Sequence, residues 1–386
     1  MSSKNLVLIG GGHSHAIALK LWGINPLSGV RLTLITDVYQ TPYSGMLPGY
    51  VAGFYTFEET HINLSTLAQF SHAQFYLDQA IGLDLINHQV ICANSPPISF
   101  DYLSLDIGSI PTMINVPGAS EYAIPAKPVP TFLAAWNDFV KTVINSPHKN
   151  YSISIVGGGA GGVELALNMH SRLSHILQEH QQPLENLMIN LFHQGETILT
   201  GHNFSVSKMV ETILKQRKIK LYLRQKVVKI SAISDNKYEI QCESKLKANC
   251  DIIFWVTQAS AANWIKTSEL ITDKKGFILV NNYLQSVSHP HIFAAGDIAT
   301  INNYPRPKAG VFAVRQGKPL FDNLQRMILG KSLKPYYPQK LYLSLIGTGD
   351  KNAIASWGCL GYRSPILWTW KDYIDREFME RFKNLG

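Results

Sequence analysis

Cysteine is scarce in this 386-residue chain: Cys92, Cys242, Cys250 and Cys359 are the only four, and none forms a CxxC pair. That spacing supports neither a disulfide framework nor a zinc ribbon, so a reducing, cytoplasmic setting and no metal site are expected. No secretory leader is expected either, because the early apolar run LVLI is too short for one and reads as a strand. No apolar stretch approaches the roughly eighteen residues that a membrane-spanning helix needs. Acidic residues are outnumbered, 27 against 35 Lys and Arg. The basic excess is densest at LKQRKIKLYLRQKVVK, Leu214 to Lys229, where only Tyr222 offers a stacking platform. A solvated surface explains that stretch better than a nucleic-acid face, and no nucleic-acid partner is expected. With 46% hydrophobic and 16% charged residues the chain is globular, and its length implies two or three domains.

What is present is glycine in a particular order. In LVLIGGGHSHAIAL, a strand runs into Gly10 and Gly12 and a helical pattern follows at once. The fingerprint G-x-G-x-x-G is incomplete, since His15 stands where the third glycine belongs. About 150 residues later YSISIVGGGAGGVELALNMHSRL repeats the pattern with Gly157, Gly159 and Gly162 all in place, and a helix is expected from about Gly161 to Gln178. The first glycine makes a tight turn, the second admits a pyrophosphate, and the third lets helix and strand pack closely. One such motif is weak, but two in strand-turn-helix context predict two nucleotide sites. At the first, His13 or His15 stands at a helix start and could donate to a pyrophosphate; a ring packed against a neighbour is the other reading.

Neither copy ends its second strand with the carboxylate that binds a ribose hydroxyl. RLTLIT ends at Thr36, with Asp37 one place late, and MINLFH ends at His193. Thr36 and Asp37 are therefore the ribose candidates of the first site. His193, which does not repel a 2′-phosphate, predicts weak discrimination between NADH and NADPH at the second.

Further on, GFILVNNYLQSVSHPHIFAAGDIAT contains IFAAGD. This resembles the late motif of flavoproteins with two dinucleotide-binding domains, the pyridine nucleotide-disulfide oxidoreductase superfamily. DYLSLDIGSIP and CDIIFWVTQAS are similar to that superfamily's two crossover strands. The resemblance implies an α/β fold of two Rossmann-like domains, with FAD at the first turn and NAD(P)H at the second. It also implies that Asp297, preceded by Gly296, bonds the flavin ribityl chain. GGGHSHA, TPYSGMLPGYVAG, KLYLSLIGTGDKNAIASWG and WTWKDYIDREFMERF resemble a smaller group. In that group a type II NADH dehydrogenase-like domain occurs alone or fused to selenide, water dikinase.

Against that background, Ser44 in Tyr43-Ser44-Gly45 takes the place of a redox cysteine. A serine forms no thiolate at neutral pH, which excludes a disulfide relay. Glu164 matches the Glu that type II dehydrogenases place near the nicotinamide, although a Glu in the first turn of a helix also complements its dipole. Val311 and Arg315 stand where those enzymes have two glutamines, whereas PKAG resembles sulfide:quinone reductases, whose lysine implies a cation beside the flavin at Lys308. The domains read as 1–115 plus 276–332 for FAD, 116–275 for NAD(P)H, and a C-terminal segment 333–386. In that segment Trp370, Ile374, Phe378 and Phe382 recur every four residues as one apolar stripe. Packing in the core or in a homodimer is expected there, with peripheral membrane contact as the alternative. The expected activity is an FAD-dependent NAD(P)H dehydrogenase passing electrons to a quinone-like or other small acceptor. The alternatives are selenium or sulfur redox chemistry for selenophosphate synthesis, and a redox-sensing flavoprotein.

Overall fold

The computed structural model describes residues 3–111, 116–257, 259–383 and 385, so the expected boundary at residue 115 lies outside the described residues. The first part of the chain carries β1 (Lys4–Ile9), α1 (His13–Ile24), β2 (Val30–Thr36), β3 (Gln74–Leu77) and β4 (Tyr102–Leu105). The middle carries β5 (Ile124–Pro125), α2 (Val129–Asn145), β6 (Tyr151–Val156), α3 (Ala160–Glu179), β7 (Leu187–Phe192), α4 (Phe204–Gln216), β8 (Lys220–Tyr222) and β9 (Ile252–Trp255). The last part carries β10 (Ile292–Ala294), α5 (Gly310–Ile328), β11 (Ser344–Gly347), β12 (Ala353–Trp357), β13 (Leu360–Ser364) and α6 (Pro365–Glu380).

Two parallel sheets of five strands have the same plan. The first runs β10-β4-β1-β2-β3 and the second β5-β9-β6-β7-β8. In each, the strand that ends in a glycine turn is central, between the strand that follows its helix and one that returns later. The strand order therefore switches at the glycine turns, which is where open α/β sheets bind ligands. β1 ends in the apolar run LVLI, and β6, YSISIV, is buried at every position although two of its residues are serines, because both faces of a parallel sheet are covered. Antiparallel three-stranded sheets fill the crossovers at residues 80–99 and 227–250.

The C-terminal segment belongs to both halves. Ile346 and Ile354, from β11 and β12, join the core of the second sheet. Trp368, Phe378 and Phe382 join the core of the first. The expected apolar stripe is thereby corrected: Trp370 and Ile374 are exposed, and the buried face runs through Trp368, Lys371, Asp375 and Phe378. Hydropathy alone cannot find a face that buries a lysine and an aspartate. Of the expected i,i+4 pairs, Glu377–Arg381 is on the exposed side at 3.3 Å, whereas Asp372–Arg376 at 3.0 Å flanks the buried face, bonded to Tyr55 and Glu59.

Phe378 is 4% exposed and stacks on Tyr43 with ring centroids 4.4 Å apart. Phe378→Ala is expected to cost about 3–5 kcal/mol and to free the last helix for proteolysis. Urea unfolding with limited digestion checks this, and a loss within experimental error would mean that the tail is not part of the first core.

Candidate functional site

The second glycine turn shows why each glycine is there. Gly157 has φ +132°, and a Cβ on it would lie 2.3 Å from the Val256 carbonyl oxygen. A Cβ on Gly162 would lie 1.8 Å from the Gly157 oxygen, so only glycine fits. Gly159 is different: it caps α3 in extended conformation, and a Cβ there would meet nothing within 4 Å. No side chain caps this helix and no acidic residue occupies its first turn. Its unsatisfied N–H groups and macrodipole therefore favour an anion in that open space. β7 stops at Phe192, one residue earlier than expected. The His193 ring turns back over the turn, and its Nδ1 accepts from the Gly158 N–H at 3.2 Å. Burial lowers its pKa, so the ring is neutral at pH 7.

The first turn solves the same packing problem with a side chain. Gly10 has φ +90°, and a Cβ on it would lie 2.5 Å from the Asp106 carbonyl oxygen. His15 is fully buried; its Nδ1 lies 2.7 Å from the Gly10 oxygen and its Nε2 2.8 Å from the Ser104 hydroxyl. A carbonyl only accepts, so Nδ1 carries the proton and Nε2 accepts from Ser104. The expected contact of His15 with a pyrophosphate is thus corrected, because both ring nitrogens are engaged inward. Burial drives this imidazole to about 4. Beneath the turn, the end of β4 delivers Asp106, which sequence reading missed. Its Oδ2 accepts from the N–H groups of Ser14 at 2.8 Å and His15 at 3.1 Å. Thr36 is buried and its hydroxyl lies within 3.4 Å of the Val38 backbone, which leaves the exposed Asp37 as the free carboxylate at this strand end.

Between the two turns lies a mixed cluster. The His13 Nε2 accepts from the Ser44 N–H and lies 3.4 Å from the Ser44 hydroxyl. A Cβ on Gly310 would lie 2.6 Å from the Ser44 Oγ, so the start of α5 closes on the same point. Burial lowers His13 to about 4, and Asp297 pulls the other way. Asp297 follows Gly296, whose N–H donates to the Gln316 Oε1 at 2.6 Å. The Lys127 ammonium lies 2.8 Å from Asp297 Oδ2, and the Ser109 hydroxyl donates to the same oxygen at 3.1 Å. Lys127 was not foreseen, because only the fold brings residue 127 to residue 297. Lys308 donates to the Ala299 carbonyl at 2.6 Å and the Thr300 hydroxyl at 3.0 Å, over the Phe277 ring. Burial lowers it to about 8. A cleft opens beside it, lined by Asp297, Tyr304, Arg306 and Phe312 among others. Val311 and Arg315 sit in the first turns of α5, with Arg315 exposed.

Glu164 meets the tail. Its Oε1 accepts from the Gly347 N–H at 2.8 Å, and burial raises its pKa to about 7 against the pull of Lys371. Lys371 donates to the Gly45 carbonyl and to Asp375, both at 2.5 Å. Asp375 in turn bonds the Tyr43 phenol. One helix thereby ties the Ser44 loop to the Glu164 region. The four cysteines are all free; Cys359 is exposed at the turn between β12 and β13, and the other three are buried. Among the described residues no cluster could hold a metal ion.

The residues present fit the two expected nucleotides. The second turn has open space and free donors for a diphosphate. The first has the same strand-turn-helix frame, with one addition, the Asp106 carboxyl.

The family profile described as Pyridine nucleotide-disulphide oxidoreductase matches residues 4–317. The chain is 24% identical over 381 residues to the NADH dehydrogenase-like protein YutJ of Bacillus subtilis, covering 96% of this chain and 99% of that one. It is 25% identical over 371 residues to Ferroptosis suppressor protein 1 of Xenopus tropicalis, covering 92% and 90%. Its fold is similar to that of the sulfide:quinone oxidoreductase from Aquifex aeolicus, with TM-score 0.78, 17% identity and coverage of 100% and 92%. It is also similar to NDH2 from Plasmodium falciparum in complex with NADH, with TM-score 0.77, 13% identity and coverage of 98% and 97%.

Two glycines should separate binding from folding. Gly159→Ala is expected to leave the melting temperature unchanged and weaken NAD(P)H binding at least tenfold, about 1.4 kcal/mol. Gly162→Ala should destabilise the protein itself. Calorimetry of ligand binding and of unfolding distinguishes the two, and equal effects on both properties would refute the assignment.

The Glu164 carboxyl yields a signed pH dependence. It titrates near 4.5 when unfolded and near 7 when folded. In that window the folded state keeps a proton that the unfolded chain has lost, so stability falls as pH rises and stays lower above 7. Glu164→Gln removes this loss, and at pH 8 it should be more stable than the parent by on the order of 1–3 kcal/mol. Denaturation at pH 4 and pH 8 tests this: the gain should shrink through pH 5–6 and be nearly absent at pH 4.

Proposed function

Since the chain belongs to the pyridine nucleotide-disulphide oxidoreductase family, whose members bind FAD and NAD(P)H, we propose that it is an FAD-dependent NAD(P)H dehydrogenase serving a quinone-like acceptor. The observation that carries this reading is Ser44. It stands beside His13 and the start of α5, where a thiol relay would need a cysteine, and no two cysteines are paired elsewhere. Electrons would then leave for a small molecule without passing through sulfur.

NAD(P)H would supply a hydride, and FAD would take up its two electrons and deliver them to the acceptor. Gly157, Gly159 and Gly162 would hold the dinucleotide diphosphate, with the neutral His193 facing the adenosine ribose. Gly10, Gly12 and His13 would hold the FAD diphosphate, with Asp37 at its ribose and Gly296 and Asp297 at the ribityl chain. Glu164 would orient the nicotinamide and hold a proton near neutral pH. Lys308, fixed on Ala299 and Thr300, would place a cation beside the pyrimidine end of the flavin. A relative's name supports the acceptor class: the External alternative NAD(P)H-ubiquinone oxidoreductase B1 of Solanum tuberosum is 20% identical over 256 residues.

No described helix is long and apolar enough to cross a membrane. Ile366, Trp370 and Tyr373 nonetheless recur at helical spacing on α6 and are 77%, 48% and 64% exposed. That face supports peripheral contact with a lipid surface, from which an apolar acceptor is drawn.

Turnover with NADH and NADPH against short-chain quinones, selenite, polysulfide and glutathione disulfide tests the proposal. Quinones should be reduced fastest and the disulfide not at all. Anaerobic titration should take up two electrons per flavin. Uptake of four, or faster reduction of selenite or polysulfide than of any quinone, would overturn it.

A further inference from the structure

The two FAD-binding turns converge on one residue that the proposed reaction does not use. Asp106 ends β4, the strand between β1 and β10, so it sits between the turn at Gly10–Gly12 and the turn at Gly296. A Cβ on Gly12 would lie 2.3 Å from the Asp106 Cγ, and a Cβ on Gly296 would lie 2.3 Å from its Oδ1. The carboxyl fills the space between the turns and is 2% exposed. It takes the second and third N–H groups of α1, those of Ser14 and His15. Those are donors that a helix start otherwise offers to an anion. α3 has no such internal occupant in its first turn.

An ionised carboxylate here would add a negative charge where a pyrophosphate must lie. The neutral acid keeps an oxygen to accept from Ser14 and His15 and gains an O–H donor. We propose that Asp106 is the positioning residue of the FAD site and acts in its protonated form, so that FAD binding takes up one proton at this carboxyl. The inference rests on FAD occupying the first turn.

The surroundings support this state. Burial, with a smaller push from Asp297, raises the Asp106 carboxyl to about 7 although the His15 and Ser14 N–H groups favour its charged form. The cations nearby, Lys127 and Lys308, face Asp297. From α1, His13 and His15 are both held near 4 by burial and stay neutral above pH 6. Two phosphate charges beside the carboxyl would lift it again. Proton uptake then accompanies binding wherever the free protein has lost this proton and the complex has kept it.

The test uses full-length protein stripped of flavin and titrated with FAD from pH 6 to pH 9, in buffers of different ionisation enthalpy. Affinity should fall with pH above 7, approaching tenfold per pH unit, with uptake of close to one proton at pH 8. Asp106→Asn, an uncharged isostere, should bind with the parent's low-pH affinity at every pH and take up no proton. Asp106→Ala should lose affinity equally at all pH values, because it cannot hold the Ser14 and His15 N–H groups. Parent affinity that is flat from pH 6 to pH 9 overturns the proposal, as does a slope that survives in Asp106→Asn. Should Asp106→Asn fail to fold, proton uptake by the parent alone decides. Absence of FAD binding at any pH removes the first-turn assignment itself, a distinct result.

Discussion

A chain that passes from a parallel strand into a helix within three residues drives the carbonyl of its first turn residue against the third position of the turn. The rest of this structure is organised around that crowding. At the second turn the carbonyl of Gly157 leaves no room for a Cβ on Gly162. At the first turn the carbonyl of Gly10 is met by the Nδ1–H of His15. The same collision is removed once by deleting a side chain and once by converting it into a hydrogen bond. The second solution has further requirements. His15 needs Ser104 for its other nitrogen, and α1 needs Asp106 for its N–H groups. A single substitution in the glycine fingerprint thus requires polar residues at the end of a neighbouring strand.

The electrostatics of the site follow from burial more than from ion pairing. Lys308, His13, His15, Asp106 and Glu164 all shift toward their uncharged forms, with desolvation the largest cause in each case. Asp297 goes the other way because Lys127 and Ser109 hold its charged form. The Asp297–Lys127 pair and the Lys308 ammonium are therefore the charges that persist at pH 7, while His13 and His15 are neutral. This arrangement suits the binding of a large, planar, mostly apolar ring better than a cluster of bare charges would.

Much of the fold was legible in the sequence because its signals are local. β1 announces itself as an apolar run and β6 as an alternating one, each ending in glycine, and α3 was placed to within one residue at each end. The site was legible where a motif names its own residues, as at Gly157, Gly159 and Gly162. It was not legible where function depends on sequence-distant neighbours. Asp106 lies in DYLSLDIGSIP, a stretch that reads only as a crossover strand, although an acid directly after an apolar parallel strand is the signal that could have found it. Lys127 meets Asp297 across 170 residues, and Lys371 meets Gly45 across 326. The tail misled for a related reason: Lys371 and Asp375 are buried as a pair, and a stripe chosen by hydropathy turns the helix to the wrong side.

The way the tail joins the two halves has a consequence for how the protein is made. Ile346 and Ile354 complete the second core, Phe378 completes the first, and Lys371 closes over the Ser44 loop. All of these residues are synthesised after both glycine turns. A nascent chain released up to α5 already has both glycine turns, yet it lacks the element that holds them in register. Synthesis therefore orders assembly: each nucleotide-binding half can collapse locally, while closure of the space between them waits for residues 344–382. An incomplete translation product would retain both turns without the contacts that the tail makes to the two cores.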